Sequence, residues 1–158
     1  MTMGIVLALA GAAIATIMAG IGSAKGVGMS AETGMGVLAE DPSKFGKILV
    51  LSLLPGTQGL YGFIVSFMVL TNIGILGGAA NISLLTGLLY FAACLPIAFG
   101  GLFSAIAQGR AAVAGMGLFA KRESEFSKAM VSTTLVEIYA LLSFLISLLS
   151  VLAIGSLS

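Results

Sequence analysis

A chain of 158 residues that is 59% hydrophobic and 8% charged, with a mean hydropathy of +1.18, cannot cover a water-facing globule with polar groups; it belongs in a bilayer. Its net charge of +1, without clustered Lys and Arg, excludes nucleic-acid binding. Histidine is absent and the single cysteine, Cys94, lies in an apolar stretch, so a metal cluster, a disulfide and a Cys–His nucleophile lack their residues and Cys94 is left to packing.

In chain order, apolar segments cover 3–24, 48–76, 82–107 and 129–154, each at or beyond the roughly 20 residues that span hydrocarbon. They predict four transmembrane helices, at about 3–39, 44–77, 82–120 and 124–155. No basic residue precedes Lys25, so the first segment is expected to stay in the membrane rather than be cleaved as a signal. Polar turns at Glu40-Asp-Pro-Ser-Lys44 and Lys121-Arg-Glu-Ser-Glu125 make neighbouring helices antiparallel, and a glycine-rich turn at Gly74-Ile-Leu-Gly-Gly-Ala-Ala-Asn81 joins second to third. The expected fold is all-α and integral to the membrane, built as two tandem hairpins, residues 1–78 and 79–158.

Apart from Glu137, every charge falls within 25–47 or 110–128. The positive-inside rule makes that side cytoplasmic and leaves both termini outside. Lys25 and Arg110 come well before their turns, so the first and third helices are expected to run on past the bilayer, and the charged turns offer a platform to a soluble partner. Small residues recur at spacings of three and four, at Gly4, Ala8, Gly11, Ala15, Ala19, Gly22 and Gly26 in the first helix and at Ala98, Gly101, Ala105 and Ala112 in the third. Such faces let backbones approach and suit a crowded inner layer. Phe63, Phe67, Met68, Phe144 and Leu145 give the second and fourth helices bulk suited to lipid.

The hairpins also repeat one another. Ile21-Gly-Ser-Ala-Lys25 matches Ile106-Ala-Gln-Gly-Arg110 at an offset of 85, and Phe45-Gly-Lys47 matches Phe126-Ser-Lys128 at an offset of 81, which implies four extra residues near the first turn. Along the second offset Glu137 corresponds to Gly56, so only the second copy keeps an acid.

That acid lies nine positions beyond Lys128 in the otherwise uncharged run 129–158, which at about 1.5 Å per residue is roughly 13 Å into the hydrocarbon. A lone carboxylate there costs at least about 2.5 kcal/mol, so it must face protein, carry a proton or hold a cation. Depth counted from the turns brings Gln108, Thr57 and Gln58 level with it. Pro55 removes a backbone bond and kinks its helix, which frees a carbonyl nearby. A carboxylate, amide oxygens, a hydroxyl and a carbonyl form an all-oxygen shell for a hard cation, and one acid balances a monovalent ion, which favours Na⁺ over Mg²⁺ or Ca²⁺. A proton on the acid, helped by a bond from Tyr61, is the competing cargo. A neutral acid that only joins helices is the third reading.

Leu53-Leu-Pro-Gly-Thr-Gln-Gly-Leu-Tyr-Gly62, Leu95-Pro-Ile-Ala-Phe99, Ile106-Ala-Gln-Gly-Arg110 and Val136-Glu-Ile-Tyr139 together resemble the duplicated proteolipid that forms the membrane ring of V-type rotary ATPases. The resemblance covers essentially the whole chain, and its Pro-Gly-Thr-Gln-Gly form is similar to the Na⁺-transporting bacterial type. It implies a two-layered ring of identical copies with the small-residue helices inside and lipid outside. One Na⁺ per copy would be held by Glu137, Gln108, Thr57, Gln58 and the Leu54 carbonyl, with Tyr61 bonding the acid. The implied partners are a stationary membrane protein with an arginine at the ring edge and central-stalk proteins on the cytoplasmic turns. Such a chain sits in the cell membrane, needs no organic cofactor and is not itself catalytic, since ATP is hydrolysed in the soluble sector. Ile138 stands where relatives can carry threonine, which leaves the ligand set unchanged. A small secondary transporter or channel would also use a midplane acid, but one acid gives no charge pathway through a single copy.

Overall fold

The computed structural model describes residues 2–78 and 81–157. It is all-helical among those residues: α1 (Met3–Glu40), α2 (Phe45–Leu53), α3 (Thr57–Asn72), α4 (Leu84–Lys121) and α5 (Phe126–Leu157), with tight 3₁₀ turns at Pro42–Lys44, Leu54–Gly56, Ile75–Gly77 and Glu123–Glu125. Four spans are long and apolar enough to cross a membrane: Met3–Glu40, Pro42–Asn72, Leu84–Lys121 and Glu123–Ser156. At 38 residues each, α1 and α4 extend about 57 Å, well beyond a hydrocarbon core of about 30 Å.

Local chemistry sets the ends. The Thr2 hydroxyl accepts from the Ile5 amide at 3.4 Å and the Ser83 hydroxyl from the Thr86 amide at 3.1 Å, each satisfying one orphan donor of a helix start. Asp41 and Arg122 leave their helices in the same extended conformation, φ −145° and −141° with ψ 93° in both. The second span stops being α-helical at Asn72, five residues before the expected Gly77, because Gly74 takes a left-handed φ of 71°. The expected boundary between hairpins, after residue 78, falls beside Ala79 and Ala80, which lie outside the described residues.

The centre of the molecule is the parallel pair α1 and α4. A Cβ added at Gly109 would lie 2.5 Å from the Gly26 Cα, and one at Gly26 would lie 2.5 Å from the Ala105 carbonyl oxygen. At the far end from the charged turns, a Cβ at Gly87 would lie 2.5 Å from the Gly4 Cα. Backbone therefore meets backbone along the whole seam, and dispersion contacts hold it where lipid removes the usual hydrophobic drive. The small residues singled out on both helices are all buried.

The structure corrects the repeat. α1 and α4 both have 38 residues, and their bounds, their caps and the turns that follow all differ by 81, so the first hairpin has no four extra residues. The local match at 85 is a slip of four positions, close to one helical turn of about 3.6 residues, which keeps the same face and so imitates true alignment.

α2, α3 and α5 pack outside this pair. Phe63, Phe67 and Leu145 point away from the bundle, as their bulk suggested. Met68 and Phe144 instead turn inward against a core that includes Val65, Tyr90, Ile97 and Val151. A second apolar cluster of Val37, Ile48, Leu51, Met116, Phe119 and Ala129 lies nearer the charged turns. A polar layer separates the two.

Candidate functional site

The polar layer is built where α2 breaks. Pro55 is buried within the Leu54–Gly56 turn, and its missing N–H and fixed φ tighten the backbone so that α3 restarts at Thr57. The Leu54 carbonyl receives the Thr57 amide and also lies 3.0 Å from the Thr57 hydroxyl. One turn earlier, the Ser52 carbonyl is met by the Ser30 hydroxyl of α1 at 3.3 Å. The Ser23 hydroxyl accepts from the Gly59 amide at 2.8 Å. The distorted stretch is thus pinned to α1 on both sides of the proline.

Four side chains from α3, α4 and α5 then close a loop. Thr57 Oγ1 donates to Glu137 Oε1 at 2.6 Å, Gln108 Nε2 donates to Glu137 Oε2 at 2.7 Å, and Gln58 Nε2 donates to Gln108 Oε1 at 2.6 Å. Gln58 Oε1 returns to within 3.3 Å of Thr57 Oγ1. Tyr61 adds a bond from its hydroxyl to Glu137 Oε1 at 2.7 Å. Gln58 and Gln108 are fully buried, whereas Glu137, Thr57 and Tyr61 are half-buried and form the accessible side of the cluster.

All the residues singled out from sequence are therefore in one place: Glu137, Gln108, Thr57, Gln58 and Tyr61 through their side chains and Leu54 through its carbonyl. Thr133 was missed. Its carbonyl accepts from Gln108 Nε2 at 3.2 Å, which fixes the amide of Gln108 against α5. The available signal was its position one turn before Glu137 on the same helix face. Ser23 was quoted in a motif without a role, because a hydroxyl pointing at a backbone amide has no side-chain signature.

The donor set has a chemical bias. The single hydroxyl hydrogen of Thr57 faces three acceptors, Glu137 Oε1, the Leu54 carbonyl and Gln58 Oε1. It can satisfy only one well at a time. Gln108 Oε1 keeps a second lone pair beyond the one that Gln58 uses. Glu137 is the sole formal charge in the cluster. An oxygen-rich site with one negative charge is matched by a hard monovalent cation.

The family model for the ATP synthase C subunit matches this chain twice, over residues 10–69 and 91–150, again at a spacing of 81. The chain is similar to the V-type sodium ATPase subunit K of Enterococcus hirae, with 48% identity over 149 residues that cover 94% of this chain and 92% of the relative. It is also similar to the A-type ATP synthase subunit K of Methanocaldococcus jannaschii, with 43% identity over 145 residues, covering 92% of this chain but 61% of that longer protein.

Proposed function

The chain belongs to the ATP synthase C-subunit family, and from that premise we propose that it is the ion-carrying rotor-ring subunit of a V-type ATPase, moving one Na⁺ per copy at Glu137. The observation that carries this reading is the closed loop of Thr57, Gln58, Gln108 and Glu137, in which oxygen acceptors outnumber the hydrogens offered to them. The relative from Enterococcus hirae, named a sodium ATPase subunit, supports the choice of ion.

In this reading Glu137 supplies the charge, and Thr57, Gln58, Gln108 and the Leu54 carbonyl supply neutral oxygens. Tyr61 is not a ligand; its hydroxyl holds Glu137 Oε1 in place. Pro55 sets the turn that aims Leu54 and Thr57 at the acid. Na⁺ cancels the charge of Glu137, so a loaded copy faces lipid without the cost of about 2.5 kcal/mol or more for a bare carboxylate, while an empty copy does not. Exchange is thereby confined to the stationary membrane protein, whose arginine pairs with the emptied acid. Rotation driven by ATP hydrolysis in the soluble sector then carries the ion across, and this chain performs no catalysis itself.

The ring consists of identical copies, each made of two repeated hairpins, residues 1–78 and 79–158, with lipid around it. The charged turns face the cytoplasm and seat the central-stalk proteins, and both termini lie outside the cell membrane. Carbodiimide labelling of Glu137 in the purified ring, across pH and with or without Na⁺, tests the cargo. Millimolar Na⁺ is expected to protect Glu137 at fixed pH; labelling that follows pH alone and ignores Na⁺ would reassign the cargo to H⁺.

A further inference from the structure

The accessible side of the site has one large closing element. Tyr61 is half-buried, spans from α3 to α5, and makes its bond to Glu137 Oε1 only while its ring stays in place. The ring is held by Phe144, which stacks on it with centroids 4.9 Å apart and planes at 28°. Phe144 follows Glu137 by seven positions, two turns along α5, so the acid and its closing ring are gripped by the same helix face. Both aromatic rings also pack against the apolar core beyond the polar layer.

The repeat supplies an internal control. At the spacing of 81, Phe144 corresponds to Phe63 and Tyr61 to Leu142. Phe63 is 55% exposed and stacks on Phe67 of its own helix, and Leu142 also faces outward. The same aromatic residue thus turns outward in the hairpin that has Gly56 in place of an acid and inward in the hairpin that has Glu137. Filling lipid-facing surface accounts for Phe63, whereas Phe144 turns to the core and there lies on the Tyr61 ring.

We propose that Phe144 is a positioning residue for ion retention: by stacking on Tyr61 it keeps the tyrosine hydroxyl on Glu137 and so slows escape of the bound ion. This rests on the reading of Glu137 as the Na⁺ carrier. A ring held by Phe144 must unstack before the hydroxyl leaves Oε1, and loss of the stack lets the ring swing at lower cost.

The test loads purified, assembled rings with radioactive Na⁺ and follows its release after dilution into excess unlabelled Na⁺. Phe144→Leu is expected to release the ion about 2- to 12-fold faster, the range that a stacked aromatic pair is worth. Phe144→Tyr is expected to restore slow release. Tyr61→Phe removes the bond itself, so adding Phe144→Leu to it should change release little further, which distinguishes action through Tyr61 from general loosening of the bundle. Phe144→Met, which fills the space without a ring, serves where leucine impairs assembly. Wild-type release kinetics in Phe144→Leu, or full additivity in the double variant, overturns the role of Phe144 and leaves the Na⁺ site standing. A wild-type ring that retains no Na⁺ overturns both.

Discussion

The two hairpins share a backbone plan and differ in what it holds. Their long helices have equal length, their turns have the same conformation, and these helices, caps and turns lie 81 residues apart. In the second, the outer helix runs unbroken from Phe126 and carries Glu137. In the first, the outer helix is broken at Leu54–Gly56, and Gly56 stands where the acid would be. The first copy has not simply lost its function. Its break now delivers Leu54, Thr57 and Gln58 to the acid of the second copy. The second half keeps the acid with Gln108 beside it and the first half brings Leu54, Thr57 and Gln58, so that one cluster is assembled from both.

Breaking that division at the acid should have the largest effect. Glu137→Gln is expected to abolish Na⁺ uptake by the reconstituted ATPase while the ring still assembles, because a neutral amide keeps shape but removes the charge; retained pumping would refute the assignment. Next comes the link between halves. Gln108→Ala strands the buried Gln58 Nε2 and removes a donor from Glu137. The unsatisfied buried group is expected to lower ring stability by about 1–3 kcal/mol in thermal dissociation, and loss of the Gln108 oxygen is expected to weaken Na⁺ in equilibrium binding.

A smaller effect separates the hairpins at Ser66 and Ser147, which are repeat counterparts. Beside Pro96, where α4 loses a backbone bond, the Ile97 amide donates to Ser147 Oγ at 3.1 Å. The counterpart of Ile97 is Thr16, whose hydroxyl donates to Ser66 Oγ at 2.7 Å with no proline nearby. Ser147→Ala should therefore lower stability by about 0.5–1.5 kcal/mol through loss of this bond beside the proline. Ser66→Ala should cost less, because the Ala12 and Gly62 carbonyls that Ser66 meets lie within regular helices. Thermal dissociation of the two variant rings compares them directly.

The smallest difference lies in the turns. Asp41 accepts from the hydroxyl of Ser43 at 2.6 Å and from its amide at 3.1 Å, and these bonds hold its carboxyl below the usual carboxylate range. A lowered folded pKa means that the stabilisation is present above the ordinary value of 3.8 and is lost as pH falls through the lowered one. Arg122, its counterpart, makes no such cap. Acidification below about pH 4 should thus speed amide exchange at Ser43 and Lys44 more than at the second turn, as hydrogen exchange would register.

Much of the site was legible in the sequence because depth in a membrane helix is a matter of counting. A constant rise per residue and two charged turns were enough to bring Glu137, Gln108, Thr57 and Gln58 level. Proline's missing N–H was enough to mark the stretch 53–58 as distorted backbone, whereas the Leu54 carbonyl in particular was implied by the resemblance to the V-type proteolipids. Less legible was anything that depends on rotation about a helix axis. Met68 and Phe144 were read as lipid-facing with Phe63, yet they turn inward. The repeat offset was misread by four residues near the first turn for the same reason, since one helical turn leaves a face almost unchanged.

The sequence by itself determined the membrane class, the helical spans, their antiparallel order and the shared level of the polar groups. Those follow from composition, charge placement and the fixed geometry of a hydrogen-bonded helix, all of which act along the chain. Only the tertiary structure decided that Gln108 donates to Glu137 while accepting from Gln58, that the Thr133 carbonyl steadies it, and that Phe144 backs Tyr61. Those contacts depend on how α3, α4 and α5 are turned toward one another, and that rotation is set by glycine and alanine seams on α1 and α4 whose close approach no single segment records.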